Sequence, residues 1–148
     1  MRVTSKIPLI VAGAIGAGAI LAFALPASAD PPVQSQSPPA AEVTLAGRAA
    51  LDADGAVAFA PVSIVCRPGS YAFITVTITE SVNGDIAGGQ TYSEIECTGK
   101  TQRMEIAINP TQKAFRNGVA FGQAKLQVCT DRCHTAVSQH NIQLVARR

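Results

Sequence analysis

Residues 71–82 read YAFITVTITESV and decide the fold class, because apolar and polar side chains alternate along them. Apolar side chains recur at every second position from Ala72 to Ile78, and Thr75, Thr77 and Thr79 share the other face. A period of two with one polar face is typical of a half-buried antiparallel strand, and the β-branched content favours the same assignment. Glu80 interrupts the apolar row near its end.

The same alternation recurs on both sides of this stretch and predicts seven strands, at about 43–51, 56–66, 71–82, 91–97, 102–108, 119–129 and 133–145. Turn-forming pairs separate several of them, among them Asn83-Gly84, Gly88-Gly89 and Asn117-Gly118. Seven short strands in one small domain predict an all-β fold, an immunoglobulin-like antiparallel β-sandwich.

Pro61 lies inside the second predicted strand. Proline lacks a backbone donor, so we expect a bulge or a sheet edge at this position. The apolar phase also changes across it, from Val57 and Phe59 to Val62 and Ile64, which favours a bulge.

Four cysteines allow three disulfide pairings, and strand parity discriminates among them. Cys66 and Cys97 share the parity of apolar neighbours on their strands, so we expect both to point inward. Cys129 shares the parity of the polar Lys125, so it points outward or toward the rim. The predicted disulfides are therefore Cys66–Cys97 and Cys129–Cys133.

The motif VCTDRCH at 128–134 tests the second pair. Residues four apart in one extended strand are separated by about 13 Å, whereas the Cα atoms of a disulfide lie about 4.4–6.8 Å apart. The chain must therefore reverse in a three-residue hairpin loop at 130–132. Zinc binding, haem attachment and a redox couple are alternatives for this motif. They need free thiols, a helical shell or a helix N-terminus, and the sequence predicts none of these.

Residues 1–29 predict a secretory signal peptide, with Arg2 and Lys6 before an apolar run and small residues at Ala27 and Ala29. We expect cleavage after Ala29. A retained membrane anchor is the alternative, because the run approaches the length of about 20 residues that spans a bilayer. Residues 30–41, DPPVQSQSPPAA, predict a flexible linker, and 42–148 form the sandwich domain. The chain is therefore expected to be secreted, with the cell envelope as a possible destination.

Charge and motifs exclude several functions. Without residues 1–29 the chain keeps ten Lys and Arg residues against ten Asp and Glu residues, so no basic stripe predicts nucleic-acid binding. Glu94 and Glu96 share one face of their strand. We expect this face to be the outer, solvated face of the sheet, and we do not expect the two carboxylates to form a catalytic pair. Asp52-Ala53-Asp54-Gly55 lacks the glutamate that closes a calcium loop. We expect no catalytic residue, cofactor or metal, no membrane contact after cleavage, and a monomer.

Four segments carry a resemblance to a known group of proteins: VSIVCRPGSYAFITVTITESVNGDIAGG, EIECTG, QRMEIAINPTQKAFRNGVA and VCTDRCHT, which cover most of residues 62–135. The chain resembles small exported proteins of high-GC Gram-positive bacteria. The resemblance implies an immunoglobulin-like sandwich with two disulfides and supplies no activity. A looser similarity links it to the neocarzinostatin-type apoproteins, whose tight loop has one more residue between its cysteines.

These patterns predict a non-enzymatic exported domain that acts as a binding or structural module at or outside the cell envelope. Loops on a rigid sandwich are common recognition sites, so the candidate binding loop is the late hairpin tip. Its residues are Thr130, Asp131, Arg132 and His134. The expected partner is a protein, a cell-wall component or a small molecule. The alternative function is a small-molecule carrier with a cleft between the sheets.

Overall fold

The computed structural model describes residues 40–147, which form an all-β fold as predicted. Its eight strands are β1 (Ala41–Leu45), β2 (Arg48–Asp52), β3 (Val57–Cys66), β4 (Tyr71–Val82), β5 (Asp85–Glu96), β6 (Gln102–Ile108), β7 (Gly118–Cys129) and β8 (Cys133–Ala146). Within 40–147 the one helical element is a 3-10 turn, Ala53–Gly55. The predicted signal peptide and all but the last two residues of the predicted linker lie outside the described residues.

All eight strands belong to one sheet, in the order β1-β3-β2-β8-β7-β4-β5, with β6 paired to β3. The sheet wraps around a single core, so that β1 contacts β7 and β8 without pairing with them. Every pairing is antiparallel except that of β2 with β8, which is parallel. The prediction of a purely antiparallel fold is wrong at this pair, because side-chain alternation does not reveal in which direction a neighbouring strand runs.

The predicted strand at 43–51 is two strands, which raises the count from seven to eight. The strand is interrupted at Ala46 and Gly47, between β1 and β2. Both pieces pair with β3, β1 along Val62–Cys66 and β2 along Val57–Phe59. After the break β2 also pairs with β8, which joins the two halves of the sheet.

The bulge predicted at Pro61 is wrong. The ladder between β3 and β6 runs without interruption through Pro61, and small alanines rather than Val57 and Phe59 face inward in this part of β3. The Pro61 carbonyl accepts a hydrogen bond from the Ala46 N–H at 2.9 Å. The proline nitrogen lies on that same edge, where β1 gives way to β2, so its missing donor interrupts no regular ladder there.

The core is one cluster of apolar side chains drawn from alternate positions of every strand, and each fully buried Ile, Leu or Val contributes about 1.5–3 kcal/mol of stability. The largest fully buried aliphatic side chains are Ile64, Ile74, Val76, Ile78, Ile108, Leu126, Ile142 and Leu144. Phe115, in the loop between β6 and β7, is the largest fully buried side chain of the described part. Its burial was not predicted, because an isolated phenylalanine in a turn-rich segment carries no period.

The turn predicted at Gly88-Gly89 is wrong, because both residues lie inside β5. A side chain at Gly89 would overlap the backbone of Asn109 and lie 2.8 Å from the Ile108 side chain, so this glycine permits close approach of the segment after β6. The Thr111 N–H donates to the Gly88 carbonyl at 2.9 Å. This bond, and the one that the Thr91 hydroxyl donates to the Ala107 carbonyl at 2.6 Å, join β5 to β6 and to the segment after it.

Both predicted disulfides are confirmed. Cys66–Cys97 joins the end of β3 to the residue after β5, with Cα atoms 5.3 Å apart, and both cysteines are buried. Cys129–Cys133 joins facing residues of β7 and β8, with Cα atoms 4.0 Å apart across a three-residue loop. Two disulfides in a small domain are typical of an oxidising, extracellular setting.

Candidate functional site

The predicted binding loop is the exposed tip of the β7–β8 hairpin. Cys129 and Cys133 are the last paired residues, and the Thr130 N–H donates to the Arg132 carbonyl at 3.2 Å within the loop. All four candidate side chains are exposed. Among the hydrogen bonds and ion pairs of residues 40–147, none involves a side chain of Thr130, Asp131, Arg132 or His134. The tip is therefore held by its disulfide and its backbone, with its side chains directed into solvent.

A group of aromatic and acidic side chains on the outer side of β4 and β5 adjoins this tip, and we call it the aromatic face. It consists of Tyr71 and Phe73 on β4 and of Tyr92, Glu94 and Glu96 on β5. Tyr71 is 72% exposed and Tyr92 is 61% exposed. The Phe73 and Tyr92 rings are stacked, with centroids 5.5 Å apart and an interplanar angle of 18°. Large aromatic side chains that remain exposed on a folded domain often mark an interaction site.

The β4–β5 hairpin sets the register of the aromatic face. The turn at Asn83-Gly84 has positive φ angles of 53° and 86°, as a type I′ turn requires. This register places Tyr71 opposite Glu96 and Phe73 opposite Glu94. Opposite side chains in an antiparallel pair have Cβ atoms about 4.5–5.5 Å apart, so each carboxylate lies beside a ring.

The aromatic face is continuous with the disulfide-linked hairpin. Tyr71 pairs with Cys129 in the β4–β7 ladder, and Phe73 pairs with Gln127. The Cys129–Cys133 disulfide therefore borders the exposed ring of Tyr71 and fixes the strand next to it. Glu94 and Glu96 are both exposed, in agreement with the solvated outer face that the sequence predicts. The grouping of the rings was not predicted, although their parity on β4 and β5 was the available signal.

The charged side chains of the aromatic face are its two carboxylates, and the exposed Arg132 lies in the adjoining tip. The described part of the chain has two ion pairs, Lys113 with Asp85 and Arg147 with Glu105, and neither involves Glu94 or Glu96. The nearest basic residue in the ladder is Lys125 of β7, which pairs with Thr75 of β4. Tyr92 of β5 pairs with Thr75 from the other side, so Lys125 lies two strands from Tyr92, or about 9.5 Å at the usual strand spacing. The β5 side of the face therefore has negative charge beside aromatic rings.

The disulfides bear on the alternative metal interpretations. Both members of each pair are cross-linked, so none of the thiolates that zinc or haem attachment would need is available. His134 and His140 lie on β8, and residues 40–147 contain no group of three or more His, Cys, Asp or Glu side chains suited to a metal ion. The candidate site therefore rests on aromatic and acidic side chains.

A second, polar surface lies at the opposite end of the strands. Residues 52–55 form a left-handed bend, in which Ala53, Asp54 and Gly55 have φ angles of 47°, 55° and 87°. The Asp52 carboxylate accepts a hydrogen bond from the Ala53 N–H at 2.7 Å, so its oxygen satisfies the bend itself. An open depression of about 430 Å³ lies beside the bend and beside Arg116. Most of the residues that line this depression are exposed and lie in loops, whereas the residues of the aromatic face lie on paired strands.

A scan against protein-family models finds no match for this chain, and a search of curated proteins finds no match either. In the described residues, no helix has the length and apolar character needed to cross a membrane. The function must therefore be argued from the geometry of the aromatic face and of the hairpin tip.

Proposed function

We propose that the chain is an exported, non-enzymatic immunoglobulin-like domain that docks a partner at or outside the cell envelope through the aromatic face and the adjacent hairpin tip. The observation that carries the proposal is the exposed Tyr92 ring, stacked on the half-buried Phe73 ring, on a strand ladder that the two disulfides border. Tyrosine is enriched among the residues that dominate binding energy, because its large rigid ring loses little conformational entropy on binding.

The sequence supports export, since its first 29 residues have the charge, apolar run and small residues of a secretory signal. The two disulfides support the same destination. The rigidity of the ladder supports docking, because side chains on a fixed backbone lose less freedom when a partner binds. A monomer that presents one such face fits this proposal.

Packing argues against a carrier with a cleft between the two halves of the sheet. A Cβ atom at Gly122 of β7 would lie 2.7 Å from the Leu45 side chain of β1, so the facing strands are in close contact there. Ile142 of β8 lies 3.1 Å from the same point. The depressions beside the bend at 53–55 and beside Pro61 are open to the surface, and the core positions between the strands are filled by buried side chains.

The test is a binding assay with the exported full chain and an immobilised cell-wall fraction from the producing cells. Tyr92→Ala removes an exposed ring of the aromatic face. Phe121→Ala is the matched control, because Phe121 is an exposed ring on the outer side of β7 at the other end of the strand. We expect the first variant to weaken binding by about tenfold or more and the control to leave it within about twofold. Equal binding by wild type and Tyr92→Ala, or an equal loss in both variants, would contradict the proposal.

A further inference from the structure

We propose that the partner of the aromatic face is an extended cationic peptide segment whose Lys or Arg side chains lie over the exposed rings and pair with Glu94 and Glu96. This inference rests on the proposed docking function and specifies the chemistry of the partner. It follows from three features of the aromatic face: its charge, its rings and its spacing.

The charge of the face selects a cation. Glu94 and Glu96 are exposed on one face of β5 and take part in neither ion pair of residues 40–147. Two like charges at alternate positions of one strand repel each other, and an anionic partner would add to that repulsion. A partner with positive side chains would relieve it. Lys125 lies on the far side of Thr75, so it confines a cationic partner to the β5 side of the face.

The rings strengthen the preference for a cation. A Lys ammonium or an Arg guanidinium within about 6 Å of an aromatic ring centroid is attracted by the negative face of the ring. Tyr71 and Tyr92 present most of their surface to solvent. Because Glu96 lies opposite Tyr71 in the ladder, one cation can contact a ring and a carboxylate at the same time. The chain itself contains such an arrangement elsewhere, where the Arg147 guanidinium lies 4.8 Å from the Phe59 ring centroid and 3.5 Å from the Glu105 carboxylate.

The spacing of the face suits an extended peptide. Glu94 and Glu96 are two residues apart on one strand, as are Tyr71 and Phe73, so each pair is separated by about 6.6–6.8 Å. Alternate side chains of an extended peptide repeat at that same distance. A segment with basic residues at every second position therefore matches the face in register, whereas clustered basic residues would place half of their charges away from it.

The experiment measures binding of fluorescent synthetic peptides to the disulfide-bonded domain by anisotropy. The probe is a peptide of about nine residues in which Lys and Thr alternate, long enough to span both carboxylates at the usual rise per residue. The comparison peptide has Gln in place of Lys, and chitohexaose serves as a neutral glycan probe. We expect the Lys peptide to bind at least about tenfold more tightly than the Gln peptide, and its affinity to fall as the salt concentration rises from about 50 to about 500 mM.

Charge-matched variants separate a specific site from general attraction. Glu94→Gln/Glu96→Gln removes two negative charges from the aromatic face, and Glu42→Gln/Asp54→Asn removes two from other exposed positions. We expect the first pair to weaken Lys-peptide binding by about tenfold or more and the second to change it by less than about twofold. Equal losses in both double variants would overturn the inference, as would failure of the Lys peptide to bind. Preference for chitohexaose without any effect of Glu94→Gln/Glu96→Gln would identify a glycan-binding face instead.

The same variants distinguish failure of this inference from failure of the proposed function. If Tyr92→Ala weakens capture by the cell-wall fraction while Glu94→Gln/Glu96→Gln does not, the docking face stands and its cationic partner is refuted. If neither variant changes capture, the aromatic face is not the docking surface and both proposals fail. Thermal unfolding of each variant shows that a loss of binding does not come from a loss of folding.

Discussion

The buried Glu80 carboxylate accepts a hydrogen bond from the backbone N–H of Arg116, with its Oε2 2.8 Å from the nitrogen. Glu80 occupies an inward position of β4 and is 5% exposed, whereas Arg116 lies in the loop between β6 and β7. The preceding residue, Phe115, donates its N–H to the Gly55 carbonyl at 2.9 Å and is itself buried. Two successive backbone donors thus fix this loop to β4 and to the turn between β2 and β3. The acidic residue that interrupts the apolar row of β4 therefore has a structural role.

Replacement of Glu80 tests this role. Glu80→Leu introduces an apolar side chain of similar size and leaves the Arg116 N–H without its acceptor, which we expect to cost about 1–3 kcal/mol of local stability. Glu80→Gln retains an acceptor oxygen and should lose less. Hydrogen exchange at the Arg116 amide measures the effect directly, and the exposed Glu42→Gln serves as control. Unchanged exchange at this amide in Glu80→Leu would show that the hydrogen bond does not hold the loop.

The neighbouring glycines Gly88 and Gly89 of β5 allow a matched comparison of two alanine substitutions. Gly89→Ala should destabilise the domain by about 1–3 kcal/mol, because the added methyl group would force the Asn109 backbone and the Ile108 side chain away from β5. A methyl group at Gly88 has only the Ile78 carbonyl nearby, at 3.8 Å, so Gly88→Ala should change stability by less than about 0.5 kcal/mol. Urea unfolding of both variants checks the prediction. Equal stabilities would mean that the segment after β6 shifts without cost.

The two disulfides should differ in their contribution to stability. In the chain-entropy model the longer loop closed by Cys66–Cys97 contributes about 3–4 kcal/mol, and the short loop closed by Cys129–Cys133 contributes about 2 kcal/mol. Replacing Cys66 and Cys97 by alanine also removes buried sulfur atoms from the core, which adds to the loss. Denaturant unfolding of the two double alanine variants measures which of them loses more unfolding free energy. A greater loss from the hairpin pair would contradict it.

The left-handed bend at 53–55 predicts a stabilising substitution. Ala53 has a φ of 47°, a region that costs a residue with a Cβ atom about 1–2 kcal/mol and glycine very little. Ala53→Gly should therefore stabilise the fold by about 0.5–1 kcal/mol after the entropy of glycine in the unfolded chain is subtracted. Ala56 has a φ of −71°, so Ala56→Gly is the control and should destabilise it. A lower melting temperature for Ala53→Gly than for wild type would refute the prediction.

Most of the strands were predictable because the alternation of apolar and polar side chains is a local property of the sequence. Alternation located β4 and β7 to within one residue of their bounds, whereas it placed the start of β5 at 91 rather than at Asp85. The errors have a common cause. Ala58 and Ala60 face inward although they are small, and Gly88 and Gly89 lie within a strand although glycine favours turns, because distant segments pack against them. A single sequence does not show which segment lies opposite.

The candidate site was predicted less well than the fold. The sequence identified the hairpin tip from the spacing of Cys129 and Cys133, and it placed Glu94 and Glu96 on an outer face. It did not bring Phe73 and Tyr92 together, because they lie on different strands and become neighbours only through the register of the β4–β5 hairpin. An exposed patch is a property of the folded surface, and no short motif encodes it.

The sequence by itself determined that this chain is all-β and which cysteines pair, because both follow from the period-two alternation that sets the direction of each side chain. The tertiary structure alone decided that β2 runs parallel to β8, that Phe115 is buried, and that three rings and two carboxylates form one surface. Those features depend on which segments meet across the core. Contacts between residues far apart in the chain, unlike the direction of a side chain, leave no regular pattern in the local sequence.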